Sequence, residues 1–242
     1  MVLPLEQVLY ASFSTSNAVR TVKLLNRLLP YLEPQKFALV GGLAIRFHVY
    51  QAGLAYPRRE FNDLDLVITD LKYLSPLMTK EILVYHFHEQ APLFYLALVD
   101  PVTKIKIDIF AQNSKEKFIS VKFGTGKLQI RLVEEQLVKK VEDVGRIASG
   151  IAVDPKEIFD MRLLFKIADK TRAEVIWGTK HKELQLVETI HVYERYAGLH
   201  PELVKAHPHR QREQYICAEC EVTADFPLAD KRKIKDILGD LE

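Results

Sequence analysis

Segment 62–67 constrains the fold more than any other part of the sequence, because acidic and apolar side chains alternate along it. Successive side chains of a β-strand point to opposite faces, so Asp63 and Asp65 would share one face while the leucines beside them pack on the other. Acidic residues are depleted in strands, and adjacent like charges repel unless a positive group offsets them. The pair therefore favours a functional site, although acids on the solvent face of a half-buried strand are also ordinary.

Segment 104–110 repeats this alternation around a single acid. The isoleucines at positions 105, 107 and 109 are expected to face inward, and Asp108 to face outward together with the neighbouring lysines. Taken alone, Asp108 is explained as well by solvation as by function. Three carboxylates on strands of one sheet could, however, hold a divalent metal together with a triphosphate.

A glycine pair ends a third apolar run. Segment 37–40 predicts a strand, and Gly41-Gly42 predicts the turn into a helix over 43–51. A helix N-terminus presents free N–H groups and a positive dipole end, which suit a phosphate. The alternative is that the two glycines simply make a tight strand-to-helix turn.

In combination, these motifs resemble the nucleotidyltransferase superfamily, whose signature is a Gly-Gly or Gly-Ser turn, a D-x-D pair and a third acid on a later strand. The likeness is closest to the AbiEii-type branch, in which Gly-Gly-x-Ala opens a helix and an arginine precedes D-x-D by four residues. The matching residues are Gly41, Gly42, Ala44 and Arg59. Leu43 stands where some members have serine, so backbone N–H groups would have to bind the phosphate without a side-chain hydroxyl.

The resemblance extends into the second half of the chain. Lys140 matches a lysine in a Glu-Leu-Leu-x-x-Lys-like stretch, and Asp160 loosely matches an Arg-Asp-x-x-Asp-Leu-like motif, with Lys156 in place of its arginine. A lysine could offset triphosphate charge. Alternatively, Lys139 and Lys140 are surface charges of an amphipathic helix. Asp160 could likewise only hold Arg162 or Lys156 in place.

Hydrophobic periodicity predicts an α/β beginning and a helical end. Helices are expected over 17–32, 71–79, 133–148, 155–167 and 182–196, the fourth of them because Asp154, Pro155 and Glu157 make a strong helix start. Strands are expected over 82–88, 93–99, 104–110, 117–123 and 127–131. We predict an α/β (α+β) fold in which residues 1–131 form a nucleotidyltransferase-like mixed β-sheet with flanking helices. Residues 132–242 would form a helical C-terminal domain that completes the site.

The composition is typical of a soluble protein. The chain has 242 residues, of which 48% are apolar, so it can form one large domain or two small ones. The two cysteines, the lack of a signal-peptide pattern and the lack of an apolar stretch of membrane length predict a cytoplasmic protein without membrane contacts. The net charge of +2 decides little about partners.

Three further groups of residues have ligand chemistry. The ligand types of a zinc site occur at His207, His209, Cys217 and Cys220. A second pair with the right spacing is absent, so zinc is not expected. His86 and His88 share a strand face and could contact substrate. Basic residues near the C-terminus could touch nucleic acid or form a solvated face, namely Arg210, Arg212, Lys231, Arg232, Lys233 and Lys235.

The resemblance implies transfer of a nucleoside monophosphate from a nucleoside triphosphate to an acceptor hydroxyl. The implied ligands of Mg²⁺ or Mn²⁺ are Asp63, Asp65 and Asp108, and the implied phosphate contacts are Gly41, Gly42, Arg59 and Lys140. Asp108 would also help to deprotonate the acceptor hydroxyl, and Lys140 and Asp160 would complete the catalytic set. Acceptors in the family include tRNA 3′ ends, protein side chains and small molecules, and AbiEii-type members are commonly toxins with an antitoxin partner. The alternative is a nucleotide-binding or partner-binding module without catalysis.

Overall fold

The structure is a computed structural model that describes residues 2–57, 61–90, 93–111, 116–205 and 226–238. Within these ranges the helices are α1 (Leu5–Ser12), α2 (Thr15–Leu28), α3 (Gly41–Gln51), α4 (Val133–Gly145), α5 (Pro155–Ile167), α6 (Lys170–Gly178), α7 (Leu186–Leu199) and α8 (Lys231–Leu238). The strands are β1 (Phe37–Leu39), β2 (Asp63–Ile68), β3 (Leu83–Gln90), β4 (Leu93–Val99), β5 (Lys106–Ala111), β6 (Phe118–Phe123) and β7 (Gly126–Arg131).

The strands form one mixed sheet in the order β3-β4-β5-β2-β1-β7-β6. Strand β2 is parallel to β5, and β1 is parallel to β7. The other neighbouring strands are antiparallel. The predicted fold class, a mixed α/β sheet with flanking helices, is therefore confirmed. The strand that carries the D-x-D pair lies near the centre of the sheet, between β5 and β1.

The two faces of β2 differ as the alternation predicts. Leu64 and Leu66 are buried in the main core with α1 and α2, whereas Asp63 is exposed and Asp65 is half-buried. Each buried leucine contributes roughly 1.5–3 kcal/mol. A one-residue slip in register would exchange these leucines for carboxylates, so burial of the inner face determines which face carries the acids.

Helix α3 joins the sheet to the helices of the second half. Leu43 and Phe47 pack in the sheet core, whereas Ile45 and Val49 pack in a second cluster with α4, α5, α6 and α7. An apolar surface on both sides makes α3 a buried helix rather than a surface helix. Its first residue, Gly41, is therefore held in place by both cores.

A buried arginine fixes the same helix to two other segments. Arg46 donates to the carbonyl oxygen of Ser12 at 2.8 Å and to that of Pro57 at 3.3 Å. Its guanidinium carbon also lies 4.1 Å from the centre of the Phe13 ring and 4.5 Å from that of Tyr56. Hydrogen bonds and ring contacts together compensate for the burial of this charge.

The helix predicted over 71–79 is wrong. Two short 3-10 turns, Leu71–Tyr73 and Pro76–Lys80, occupy that stretch. The Asp70 side chain accepts from the N–H of Lys72, and the Ser75 side chain accepts from the N–H of Leu77, so each turn begins separately. Proline at the start of the second turn prevents one continuous helix.

The helices of the second half are mostly those predicted. Helix α5 begins as expected, because Asp154 caps the N–H of Lys156 at 2.8 Å. Helix α7 begins at Leu186 rather than at residue 182, since both carboxylate oxygens of Glu174 accept from the N–H of Leu186. Helices α1, α6 and α8 were not predicted. Of the helices in the described ranges, none is long and apolar enough to cross a membrane. The division into domains 1–131 and 132–242 stays a prediction.

Candidate active site

Two of the three predicted acids lie side by side on neighbouring strands. Strands β2 and β5 are parallel, and their register pairs Asp65 with Asp108 and Asp63 with Lys106. Paired residues on adjacent strands project from the same face of a sheet. The three acids are thus brought to one face, as predicted, with Asp65 between Asp63 on its own strand and Asp108 on the next.

The electrostatics of Asp65 reflect this crowding. Burial and the negative charges of Asp63 and Asp108 raise the pKa of Asp65 from 3.8 to about 7. The ammonium groups of Lys140 and Lys156 lower it, but by less. The fold therefore holds a carboxyl group that is only partly ionised at neutral pH, as is common at functional sites.

Gly41 lies directly against the Asp65 carboxylate. A Cβ atom added to Gly41 would stand 1.9 Å from Oδ2 of Asp65. The backbone of Gly41 also has a φ of +60°, a left-handed conformation that favours glycine. In addition, the N–H of Val40 donates to the carbonyl oxygen of Asp65 at 3.0 Å. Only glycine fits where β1 turns into α3, so this turn has a packing role as well as free N–H groups.

Two lysines bring positive charge to this turn. The Lys156 ammonium lies 3.9 Å from the position of a Cβ built on Gly42. Lys140 is largely buried and donates to Glu157. Burial lowers the pKa of Lys140, but the charge and hydrogen bond of Glu157, with the charges of Asp143 and Asp160, outweigh it, so the pKa is raised overall. Lys140 is therefore not a freely solvated surface charge.

Lys139, the neighbour of Lys140 on α4, has a different environment. It is exposed and pairs with Asp143 one turn away on the same helix. The surface-charge interpretation thus holds for Lys139 and not for Lys140. The sequence pattern alone does not separate the two lysines, because the difference depends on how α4 packs on α5.

Asp160 is fully buried beside this group. Its Oδ1 atom accepts from the Tyr56 hydroxyl at 2.7 Å, and its Oδ2 atom has no hydrogen-bond partner within the described ranges. Burial raises the pKa of Asp160, while the Tyr56 hydrogen bond and the charges of Lys140 and Lys156 oppose this. Arg162 donates instead to Glu194 at 2.7 Å, so the suggestion that Asp160 holds Arg162 is wrong.

On the other side of Asp65, Tyr95 orients Asp108. The Tyr95 hydroxyl donates to Oδ1 of Asp108 at 2.7 Å, and its ring stacks on Phe110 with a centroid separation of 5.1 Å. The His86 ring lies 5.3 Å from the Tyr95 ring. Tyr95 lies at the candidate site although the sequence did not indicate it, and Lys156 was matched only to the arginine position of a family motif. The pairing of β4 with β5 across a short turn was the available signal for Tyr95.

The three acids have the donor chemistry of the predicted metal site. Carboxylate oxygens are the ligands that Mg²⁺ and Mn²⁺ prefer, and a cation would relieve the repulsion around Asp65. In the described part of the chain, however, no three His, Cys, Asp or Glu side chains are grouped to hold a metal ion. Arg59 lies outside the described residues, and so do His207, His209, Cys217 and Cys220, where zinc was not expected.

Two solved structures of low sequence identity are similar to this fold. No protein-family model matches the sequence, and no curated protein matches it. The fold is similar to an antigenic nucleotidyltransferase-like protein from Paracoccidioides brasiliensis, with 14% identity, a TM-score of 0.40, and coverage of 84% of this chain and 94% of that one. It is also similar to JHP933 from Helicobacter pylori, with 16% identity, a TM-score of 0.40, and coverage of 79% and 95% respectively. The AbiEii-type branch stays a prediction.

The raised pKa of Asp65 predicts a pH-dependent effect of Asp65→Asn. Between about pH 4 and pH 7 the native state holds a proton that the unfolded chain releases, so wild-type stability falls as pH rises through this window. The Asp65→Asn variant has no carboxyl group at this position and therefore lacks this pH dependence. Its free energy of unfolding, relative to wild type, should therefore increase by roughly 1–3 kcal/mol from pH 4.5 to pH 8. Urea denaturation at both pH values measures the difference, and a difference independent of pH would contradict the assignment.

The contact between Gly41 and Asp65 predicts a second result. Gly41→Ala should destabilise the protein more than Gly53→Ala, because Gly53 has a φ of +72° but no atom within 4 Å of an added Cβ. Gly53→Ala should cost roughly 1–2 kcal/mol for its backbone alone. Gly42→Ala, whose added Cβ meets nothing closer than Lys156 at 3.9 Å, should be nearly neutral.

A double-mutant cycle of Gly41→Ala with Asp65→Ala isolates this contact. The two losses of stability should be less than additive, because truncation of Asp65 removes the two atoms nearest the new methyl group. Additive losses, measured by chemical denaturation, would show that the carboxylate does not lie against Gly41.

Proposed function

We propose that this protein transfers a nucleoside monophosphate from a nucleoside triphosphate to an acceptor hydroxyl. The observation that carries the proposal is the register pairing of Asp65 with Asp108 against the glycine turn that opens α3. Paired carboxylates, a helix N-terminus and two nearby lysines are the groups that nucleotidyl transfer requires. The coupled charges around Asp65 are hard to explain by packing alone, since like charges on adjacent strands are destabilising.

The phosphates would bind at the N-terminus of α3. Free N–H groups at the Gly41-Gly42 turn and the positive end of the helix dipole favour an anion there. Lys156 would contact the phosphates from the side of α5, and Lys140 would add charge from α4. Arg59, whose position is outside the described residues, stays a candidate phosphate contact.

The carboxylates would hold the cation and act on the acceptor hydroxyl. A divalent cation, Mg²⁺ or Mn²⁺, would be held by Asp63, Asp65 and Asp108 and would offset charge on the phosphate oxygens. The Asp108 carboxylate, oriented by the hydroxyl of Tyr95, would accept the proton of the acceptor hydroxyl. The acceptor oxygen would then bond to the α-phosphorus as the bond to the β-phosphate bridge breaks, and pyrophosphate would leave.

The enzyme branch, the biological role and the acceptor are proposed from the sequence resemblance to AbiEii-type nucleotidyltransferases. We propose an AbiEii-type enzyme, with a toxin role and an antitoxin partner as its biological setting. A tRNA 3′ end, a protein side chain or a small molecule would be its acceptor. The second candidate is a nucleotide-binding or partner-binding module without catalysis, which is favoured by the lack of a closed metal-ligand group in the described residues.

Transfer assays with matched variants test the proposal. With Mg²⁺ or Mn²⁺, α-labelled triphosphates and total RNA, protein or small-molecule acceptors, the wild type should give labelled product. Asp65→Asn and Asp108→Asn should reduce the rate by about 10²-fold or more with the fold intact. Lys140→Gln should reduce it by roughly 10-fold to 100-fold, whereas Lys139→Gln, on the adjacent but exposed residue, should have little effect.

One outcome would count against the enzyme, and another against the role of Lys140. Binding of the triphosphate without transfer to any acceptor class would favour the module. Equal loss of rate in Lys139→Gln and Lys140→Gln, with circular dichroism unchanged, would show that Lys140 has no special place in the site.

A further inference from the structure

A cavity of about 640 Å³ opens between α5 and the end of α7, next to the candidate site. Much of its wall is apolar, including Pro57, Pro155, Phe159 and Ala197. Pockets that bind small organic molecules typically have volumes of roughly 300–1,000 Å³ and mostly apolar walls with a few polar groups. The size and lining of this cavity therefore suit a small organic ligand.

One side chain belongs both to this cavity and to the proposed phosphate site. Lys156 lines the cavity, and its ammonium group lies 3.9 Å from the position of a Cβ built on Gly42. A molecule in the cavity could therefore extend past Lys156 to the N-terminus of α3. Lys156 is thus shared by the cavity and the glycine turn.

The polar groups of the cavity suit a planar ring with hydrogen-bonding edges. Arg162 and Glu194 both line it, and they are joined by a hydrogen bond of 2.7 Å. Together they offer N–H donors and a carboxylate acceptor, which are the groups that read the edge of a nucleobase. The Phe159 ring on the wall can pack against a flat heterocycle.

The sheet order indicates which substrate would enter here. Gly41 follows β1 and Asp108 lies on β5, and these strands flank β2 on opposite sides. The donor phosphates are proposed for the β1 side and the acceptor hydroxyl for the side of Asp108. Because Lys156 connects the cavity to the β1 side, the donor fits the cavity better than the acceptor does.

We propose that this cavity holds the nucleoside of the donor triphosphate, with the phosphates running past Lys156 to the Gly41-Gly42 turn. This inference rests on the proposed nucleotidyl transfer. It assigns recognition of the nucleoside to residues of α5 and α7 that do not contact the phosphates, namely Phe159, Arg162 and Glu194. The base thus lies among helices of the second half, while the reacting phosphorus lies at the sheet.

Filling the cavity tests the assignment. Gly198 lines it at the end of α7, and an added Cβ there meets nothing within 4 Å, so Gly198→Leu should fold normally and occupy the space. Gly178→Leu is the matched control, because Gly178 ends α6, has equally open surroundings and does not line the cavity. Melting temperatures verify that both variants fold.

Affinities for Mg²⁺ complexes of each nucleoside triphosphate and of inorganic tripolyphosphate are then measured by calorimetry. Gly198→Leu should weaken triphosphate binding by about tenfold or more and leave tripolyphosphate binding unchanged, and Gly178→Leu should alter neither. Glu194→Gln, which keeps the cavity volume, should change the preference among the four nucleosides.

The outcomes separate this inference from the proposed function. Equal wild-type affinity for tripolyphosphate and for every triphosphate, or unchanged triphosphate affinity in Gly198→Leu, would overturn the cavity assignment while transfer activity stands. A raised acceptor KM in Gly198→Leu with unchanged triphosphate affinity would assign the cavity to the acceptor and also overturn it. Failure of the wild type to bind any triphosphate would overturn both proposals.

Discussion

The contact between the Asp65 carboxylate and the backbone of Gly41 is the constraint on which the rest of the site depends. It joins the central strand β2 to the first residue of α3, and only a glycine leaves room for the carboxylate there. This close contact also places the Asp65 carboxylate beside the N-terminus of α3, where free N–H groups are available. Because α3 packs in both the sheet core and the helical cluster, neither partner can shift without disturbing a core.

The charges around this contact are offset in part by neighbouring charged and hydrogen-bonding side chains. Burial, together with the charges of Asp63 and Asp108, raises the pKa of Asp65, and the charges of Lys140 and Lys156 lower it. Glu157 holds Lys140 in turn, and Tyr56 holds one oxygen of Asp160. The acids in this arrangement repel one another, and a positively charged ligand would reduce that repulsion. The proposed transfer reaction uses this property, because its substrate arrives with a divalent cation.

Local features of the site were predictable from the sequence, and long-range features were not. The alternation around Asp63 and Asp65 predicts the two faces of β2, and Asp154 before Pro155 predicts the start of α5. The register between Asp65 and Asp108 could not be predicted, since it joins strands about forty residues apart in the chain. The predicted helix over 71–79 failed because two side-chain caps and Pro76 divide that stretch, which periodicity alone does not reveal. The cavity between α5 and α7 likewise depends on tertiary packing.

The central claim is that Asp65 and Asp108 together form a cation site that works with a nucleotide. Electron paramagnetic resonance of Mn²⁺ tests it most directly, with a triphosphate whose α–β bridging oxygen is replaced by methylene so that transfer cannot occur. The wild type should bind Mn²⁺ together with this analogue, and Asp65→Asn and Asp108→Asn should each lose the bound Mn²⁺ signal while remaining folded. Equal Mn²⁺ binding by the wild type and both variants, or none by the wild type, would contradict the account.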